Sequence, residues 1–273
     1  MTALDGKVIL VTGATDGLGR ALAAELAADG ATVLVHGRNP ARIADTVAEV
    51  IEVAGRPDRV RSYQADLSSL EQVRDLAGQL LAAEPRLDVL VNNAGIGDLA
   101  PGGGRRQVSA DGIELVFAVN YLAGYVLSRL LLPLLVKSAP SRIVYVASAG
   151  QQPIDFADPM LTTDYSGMRA YRQSKLAQIM NAFDLADELE GTGVTVNALH
   201  PATFMPTKMV PVTPISTIAE GVEATTALIA APADELGTGR YYNGLSQARA
   251  DRQAYEPEAR RRLRELSDQL VGF

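Results

Sequence analysis

The 273-residue sequence predicts an α/β fold: one doubly wound domain, residues 1–273, with a parallel sheet of about seven strands flanked by helices on both faces. Three observations predict it. Short, continuous apolar runs such as Val8-Ile9-Leu10-Val11 suit strands buried on both faces, as parallel sheets require. Those runs alternate with longer stretches of helical character. The first run passes through a glycine turn into an Ala/Leu helix, an order that sets a helix N-terminus against a ligand.

Each element has a local reason. Thr32-Val33-Leu34-Val35-His36 is the second strand, and Val60 to Gln64 the third. Leu87 to Val91, Ile143 to Val146 and Val194 to Leu199 supply the next three, and Tyr241-Tyr242 closes a seventh. Arg20 to Asp29 reads as a helix ended by Gly30. Asn39-Pro40 opens a helix running to about Val53, with Pro near its first turn. Ser68-Ser69-Leu70-Glu71 and Asp111-Gly112-Ile113-Glu114 read as capping boxes for the helices that follow. After the second box, Leu115, Val119, Leu122, Val126 and Leu130 form an apolar stripe. Asn120 interrupts that helix, and a buried amide must find hydrogen-bond partners. Thr217 to Ala230 and Pro257 to Leu270 are the last helices.

Composition removes several function classes. The net charge of −7 argues against nucleic acid and anionic membranes as partners. There is no Cys, so disulfides, a thiol nucleophile and a Cys-ligated metal are excluded. His36 and His200 are the two histidines, too few for a His-rich metal site. No membrane span is expected: the most apolar run, Val126 to Val136, is short and broken by Ser128, Arg129 and Pro133. The first residues run almost directly into a strand, so no signal peptide is expected either. A cytoplasmic protein is expected, with a small-molecule substrate as partner and a homo-oligomer left open.

The chemistry gathers at a few places. Tyr171 and Lys175 stand four apart on a helix, so they share one face. A nearby ammonium favours a phenolate and tunes a Tyr for acid–base work. Ser148 follows the fifth strand, at the sheet end where ligands of open α/β folds bind. Gly13, Gly17 and Gly19 offer a tight turn, a backbone approach to a pyrophosphate, and close helix–strand packing. At the end of the second strand stand Gly37 and Arg38. No acid is present there for a ribose hydroxyl, whereas Arg38 suits a 2′-phosphate, which favours NADP(H) over NAD(H). Asp66 sits past a strand end, where it can accept from an adenine amine or simply hold a turn. Asn92-Asn93-Ala94-Gly95 suits the close approach of a flat ligand. Leu99 to Gly112 is a Gly-rich loop expected to be mobile at the rim. A Pro-rich segment, about 201–220, is expected to be a lid over the substrate. Ile154, Phe156, Met160, Phe204, Met205 and Met209 suggest an apolar pocket.

In this order, Thr12-Gly13-x-x-x-Gly17-x-Gly19, Asn92-Asn93-Ala94-Gly95, Asn120, Ser148 and Tyr171-x-x-x-Lys175 together resemble the short-chain dehydrogenase/reductase family. The resemblance runs from about Lys7 to Phe273. The stretch Tyr171-Arg172-Gln173-Ser174-Lys175-Leu176-Ala177 and the terminal Leu263-Arg264-Glu265-Leu266-Ser267 are most similar to its retinol dehydrogenase-like branch. The resemblance implies a Rossmann fold and a hydride transfer. Tyr171 would be the general acid or base, Lys175 its helper and a ligand of the nicotinamide ribose. Ser148 would bind the carbonyl oxygen, and Asn120 would hold a water linking Lys175 to solvent. Cofactor contacts would come from Gly13, Thr15, Asp16, Gly17, Leu18, Gly19, Arg38, Asp66, Leu67, Asn93, Ala94, Gly95, Tyr171, Lys175 and Thr203.

Three departures are visible. Ser148 and Tyr171 are separated by a longer loop than in the compact members. That loop holds Tyr165, a rival phenol without a Lys four residues on. The family's usual Pro-Gly after the sixth strand is Pro201-Ala202, so either Thr203 or Thr207 is left to meet the nicotinamide. The expected function is an NADP(H)-dependent carbonyl reductase or alcohol dehydrogenase acting on a small, largely apolar substrate. The alternative is a non-catalytic NADP-binding regulator on the same fold. A nucleotide-sugar epimerase would need a larger C-terminal domain than the chain after Leu199 supplies.

Overall fold

A computed structural model describes residues 4–97, 104–208 and 213–273. Its strands are β1 (Val8–Val11), β2 (Thr32–Gly37), β3 (Val60–Gln64), β4 (Val89–Asn92), β5 (Ser141–Val146), β6 (Val194–His200), β7 (Arg240–Asn243) and β8 (Ser246–Ala248). They form one sheet in the order β3-β2-β1-β4-β5-β6-β7-β8. Every pairing is parallel except β7 with β8. The sheet thus has eight strands where the sequence predicted about seven. The extra one is a three-residue edge strand of exposed or half-buried residues, too short and too polar to show a pattern.

The helices are α1 (Gly17–Ala28), α2 (Pro40–Ala54), α3 (Leu70–Ala83), α4 (Leu115–Lys137), α5 (Gly167–Glu188), α6 (Ile218–Ala230) and α7 (Pro257–Val271). They cover both faces because successive strand residues point to opposite sides. Leu10, Leu34, Leu90 and Ile143 face the layer of α3, α4, α5 and α7. Ile9, Val33, Val89 and Val144 face α1, α2 and α6. A fully buried side chain of this size contributes roughly 1.5–3 kcal/mol.

Capping follows side-chain chemistry, with two departures from the sequence reading. Asn39 caps α2, and Thr217 with Glu220 forms a capping box on α6. At α3 the cap is Ser69, whose Oγ accepts from Gln72 N, and not Ser68. At α4 the expected box fails as well. Glu114 is the cap, its carboxylate accepting from Val116 N and Phe117 N, while Asp111 accepts from Leu70 N instead.

α4 changes the reasoning behind the membrane expectation. By length and composition it could cross a bilayer, since Pro133 does not end it. Yet 67% of its most apolar window is buried against the rest of the chain. Residues 118–122 form a π-helical turn inside it, with Asn120 at the centre.

Candidate active site

The strand order reverses between β1 and β4, and a cleft of about 960 Å³ opens at their C-terminal ends. That is room for a dinucleotide and a small substrate. Every residue expected to be catalytic or to bind the cofactor lines this cleft except Asn120.

The glycines make its floor. Gly13 and Gly17 have φ of +66° and +49°, a region where a side chain is strained. A Cβ on Gly19 would run into Gly13 O and stand 2.5 Å from Asn93 Nδ2, so α1 can approach β1 closely only without one. Asn93 Nδ2 donates to Thr12 O at 2.8 Å, and Thr12 Oγ1 accepts from Asn93 N and Ala94 N. The Asn93 side chain is therefore spent on locking the β1 and β4 ends together. Thr15 lies beside Gly37, where any Cβ would meet its Cγ2 at 2.5 Å.

One end of the cleft carries three cations, Arg38, Arg42 and Lys208. Arg38 is 67% exposed at the side chain and stands 3.9 Å from Asp66 Oδ2, too far for a hydrogen bond. Asp66 Oδ1 accepts from Ser68 N and Ser68 Oγ, and Leu67 follows it on the same wall. Asp16 caps α1 and draws in two cations that sequence reasoning missed. Arg42 Nη1 lies 3.3 Å and Lys208 Nζ 2.7 Å from Asp16 Oδ2. The hydrogen bond from Lys208 holds the Asp16 carboxyl below its usual range. His36 sits beneath the floor, accepting from Gly13 N at Nδ1, and burial pushes it down to about 4.

At the other end, Ser166 caps α5 and the helix brings Tyr171 and Lys175 to the same cleft. Lys175 Nζ lies 5.6 Å from the Tyr171 ring centre. The ammonium is 3% exposed and donates to Val146 O at 2.9 Å and Gln178 Oε1 at 3.0 Å. Burial pushes it down to about 7. Ser148 Oγ accepts from Gly150 N at 3.0 Å. Asn120 spends its amide elsewhere: Oδ1 accepts from Ile96 N, and Nδ2 donates to Ile96 O and to Ser174 Oγ. The rival phenol is accounted for, since Tyr165 donates to the buried Glu114 at 3.1 Å.

The segment 201–208 forms the far wall. Thr203 Oγ1 is 2.9 Å from His200 Nε2, while Thr207 lies over Gly17. Phe204 and Met205 line the cleft. Ile154, Phe156 and Met160, expected in the pocket, lie in or against the hydrophobic core. Met209 and residues 99–103 of the Gly-rich loop fall outside the described residues.

Arg42 and Gln178 carry a faint sequence signal, each standing one helical turn from a residue already singled out. Lys208 carries none, because its partner is 192 positions away.

Residues 7–214 match the family model described as short chain dehydrogenase. Retinol dehydrogenase 14 of Mus musculus is 36% identical over 296 residues, covering 99% of this chain and 87% of that protein. Retinol dehydrogenase 13 of Homo sapiens is 34% identical over 290 residues, covering 99% and 86%. Among solved structures, an uncharacterized protein from Mycobacterium paratuberculosis matches with a TM-score of 0.81 at 28% identity, over 100% of this chain and 97% of that one. A short chain dehydrogenase from Shigella flexneri complexed with NADP matches with a TM-score of 0.72 at 28% identity, over 89% and 99%.

Proposed function

The chain belongs to the short chain dehydrogenase family, oxidoreductases of alcohols and carbonyls, and from that premise we propose an NADP(H)-dependent enzyme. Its reaction is hydride transfer between the nicotinamide and a carbonyl or secondary alcohol on a small, largely apolar substrate. The observation that carries the proposal is the shared cleft. Tyr171 and the buried Lys175 line the same cavity as the glycine floor.

The residues fit a dinucleotide. Gly13 and Gly17 present backbone at positive φ, where a side chain would be strained, and α1 points its N-terminus at the cleft. Gly37 leaves the end of β2 without an acid, and Arg38 and Arg42 stand nearby, which supports NADP(H) over NAD(H). When bound, the nicotinamide supplies or accepts the hydride. Tyr171 gives a proton to the substrate oxygen in reduction and takes one in oxidation. Gly150 N occupies one lone pair of Ser148 Oγ, so the hydroxyl proton remains for the substrate oxygen. Lys175 places a positive charge beside the phenol.

The whole chain is read as one catalytic domain, with residues 201–220 as a lid. Phe204 is 48% and Met168 42% exposed on the cleft wall, which supports an apolar substrate. The relatives are named for retinol, so an apolar polyene aldehyde belongs in the test panel beside simple aldehydes, ketones and enones. The largely buried α4 supports a chain that works without inserting that helix in a bilayer. The purified protein should oxidise NADPH with members of the panel, and faster than NADH. NADPH binding with no turnover across the panel would instead point to a regulator.

A further inference from the structure

We propose that Gln178 positions the ammonium of Lys175 through its amide oxygen. The inference rests on the reading of Tyr171 and Lys175 given above and names the residue that sets Lys175 up for its task.

The geometry is direct. Gln178 follows Lys175 by three positions on α5, so both side chains lie on one helix face. Gln178 is 1% exposed and Lys175 3%. An ammonium has only donors, so the amide atom facing it at 3.0 Å must be the oxygen. Val146 O, from the end of β5, takes a second proton of the ammonium. The remaining donor is left for the cleft, on the side where Gly95 would bring a Cβ to 3.6 Å. The Asn120 amide is bonded to Ile96 and Ser174, and the two acceptors of the ammonium are Val146 O and Gln178 Oε1.

The charge balance gives the contact its meaning. Among the described residues no carboxylate makes an ion pair with Lys175; burial alone acts on it, and toward the neutral amine. Around it stand the Tyr171 ring on the same helix, the Val146 carbonyl from β5, and His200 at the end of β6. His200 is itself pushed down, first by burial and then by the Lys175 charge, so it favours the neutral form and adds no opposing charge. The nearby Asn120 and Ser174 are neutral. Two neutral acceptors are therefore what opposes the loss of the proton. A neutral amine would give Tyr171 no electrostatic help, so Gln178 bears on the chemistry without touching substrate.

Two variants of opposite sign test this by a readout independent of turnover. The full chain is labelled with ¹³C-lysine, and the Lys175 resonance, assigned with Lys175→Met, is titrated by NMR. Gln178→Met keeps the length and removes the acceptor; the Lys175 midpoint should fall by about one pH unit. Gln178→Glu keeps an oxygen and adds an anion; the midpoint should rise by about one unit or more. The pH at which alcohol oxidation is half-maximal should move upward in Gln178→Met, with the KM for substrate changed less than about twofold. Midpoints in both variants within about 0.2 unit of the wild type would overturn the proposal, given the precision such shifts require. If Gln178→Met does not fold, the sign of the Gln178→Glu shift decides alone. Failure of the catalytic reading shows separately, as turnover that survives Tyr171→Phe while the Lys175 titration still judges Gln178.

Discussion

The Lys175 ammonium lies 5.6 Å from the centre of the half-buried Tyr171 ring, one helical turn along the same face of α5. Burial that would normally expel a charge is tolerated here because Val146 and Gln178 accept from it. The pair places a titratable cation beside a phenol, at a cost in stability.

That cost depends on pH. Burial depresses Lys175 from 10.5 in the unfolded chain to about 7 in the folded one. Between these values the unfolded state holds a proton that the native state lacks, so stability rises with pH across the window. Measured against Lys175→Met by urea unfolding, the wild type should gain on the order of a few kcal/mol from pH 7 to 10, and little change is expected below pH 6. A flat difference would show that Lys175 is not desolvated.

Gly19→Ala should weaken cofactor binding. Its Cβ would run into Gly13 O and crowd Asn93, pushing α1 away from the floor of the cleft. A loss of about 1–3 kcal/mol in stability is expected from the overpacking. NADPH fluorescence titration should show affinity reduced by about tenfold or more, since a shift of 1.4 kcal/mol is enough for that.

Arg38→Ala should separate the two cofactors. A charge-assisted contact to a 2′-phosphate contributes about 1.5–3 kcal/mol, so the Kd for NADPH should rise roughly 10- to 100-fold while that for NADH stays level. Arg42→Ala should move in the same direction by less, because Asp16 already shares its charge. Unchanged NADPH affinity in Arg38→Ala would sink the reading of this end of the cleft.

Lys208→Ala removes an exposed ion pair, with side chains 71% and 46% accessible. Its effect on folding should stay within about 0.5 kcal/mol. If the segment closes over a bound dinucleotide, the cofactor's dissociation rate should rise several-fold in stopped-flow displacement. An unchanged rate would leave Lys208 with no part in retention.

Much of the site was legible because it is local. The glycine turn, the Tyr171–Lys175 spacing and the apolar strands each announce themselves within a few residues. What was not legible depends on distant parts meeting. Lys208 reaches Asp16 only because segment 201–208 folds back across the cleft. The π-helical turn at Asn120, which aims its amide at Ile96 and Ser174, has no local pattern that announces it. The caps of α3 and α4 slipped because neighbouring hydroxyls and carboxylates compete for the same backbone donors. β8 escaped notice because an exposed edge strand needs no apolar pattern.

The most direct test is steady-state NADPH oxidation against the aldehyde, ketone and enone panel, in wild type and Tyr171→Phe at matched cofactor saturation. The expected result is a kcat lowered by about 100-fold or more in the variant, as loss of a general acid implies, with NADPH affinity within about twofold of the wild type. Wild-type turnover that Tyr171→Phe leaves intact would contradict the assignment of Tyr171 as the proton donor.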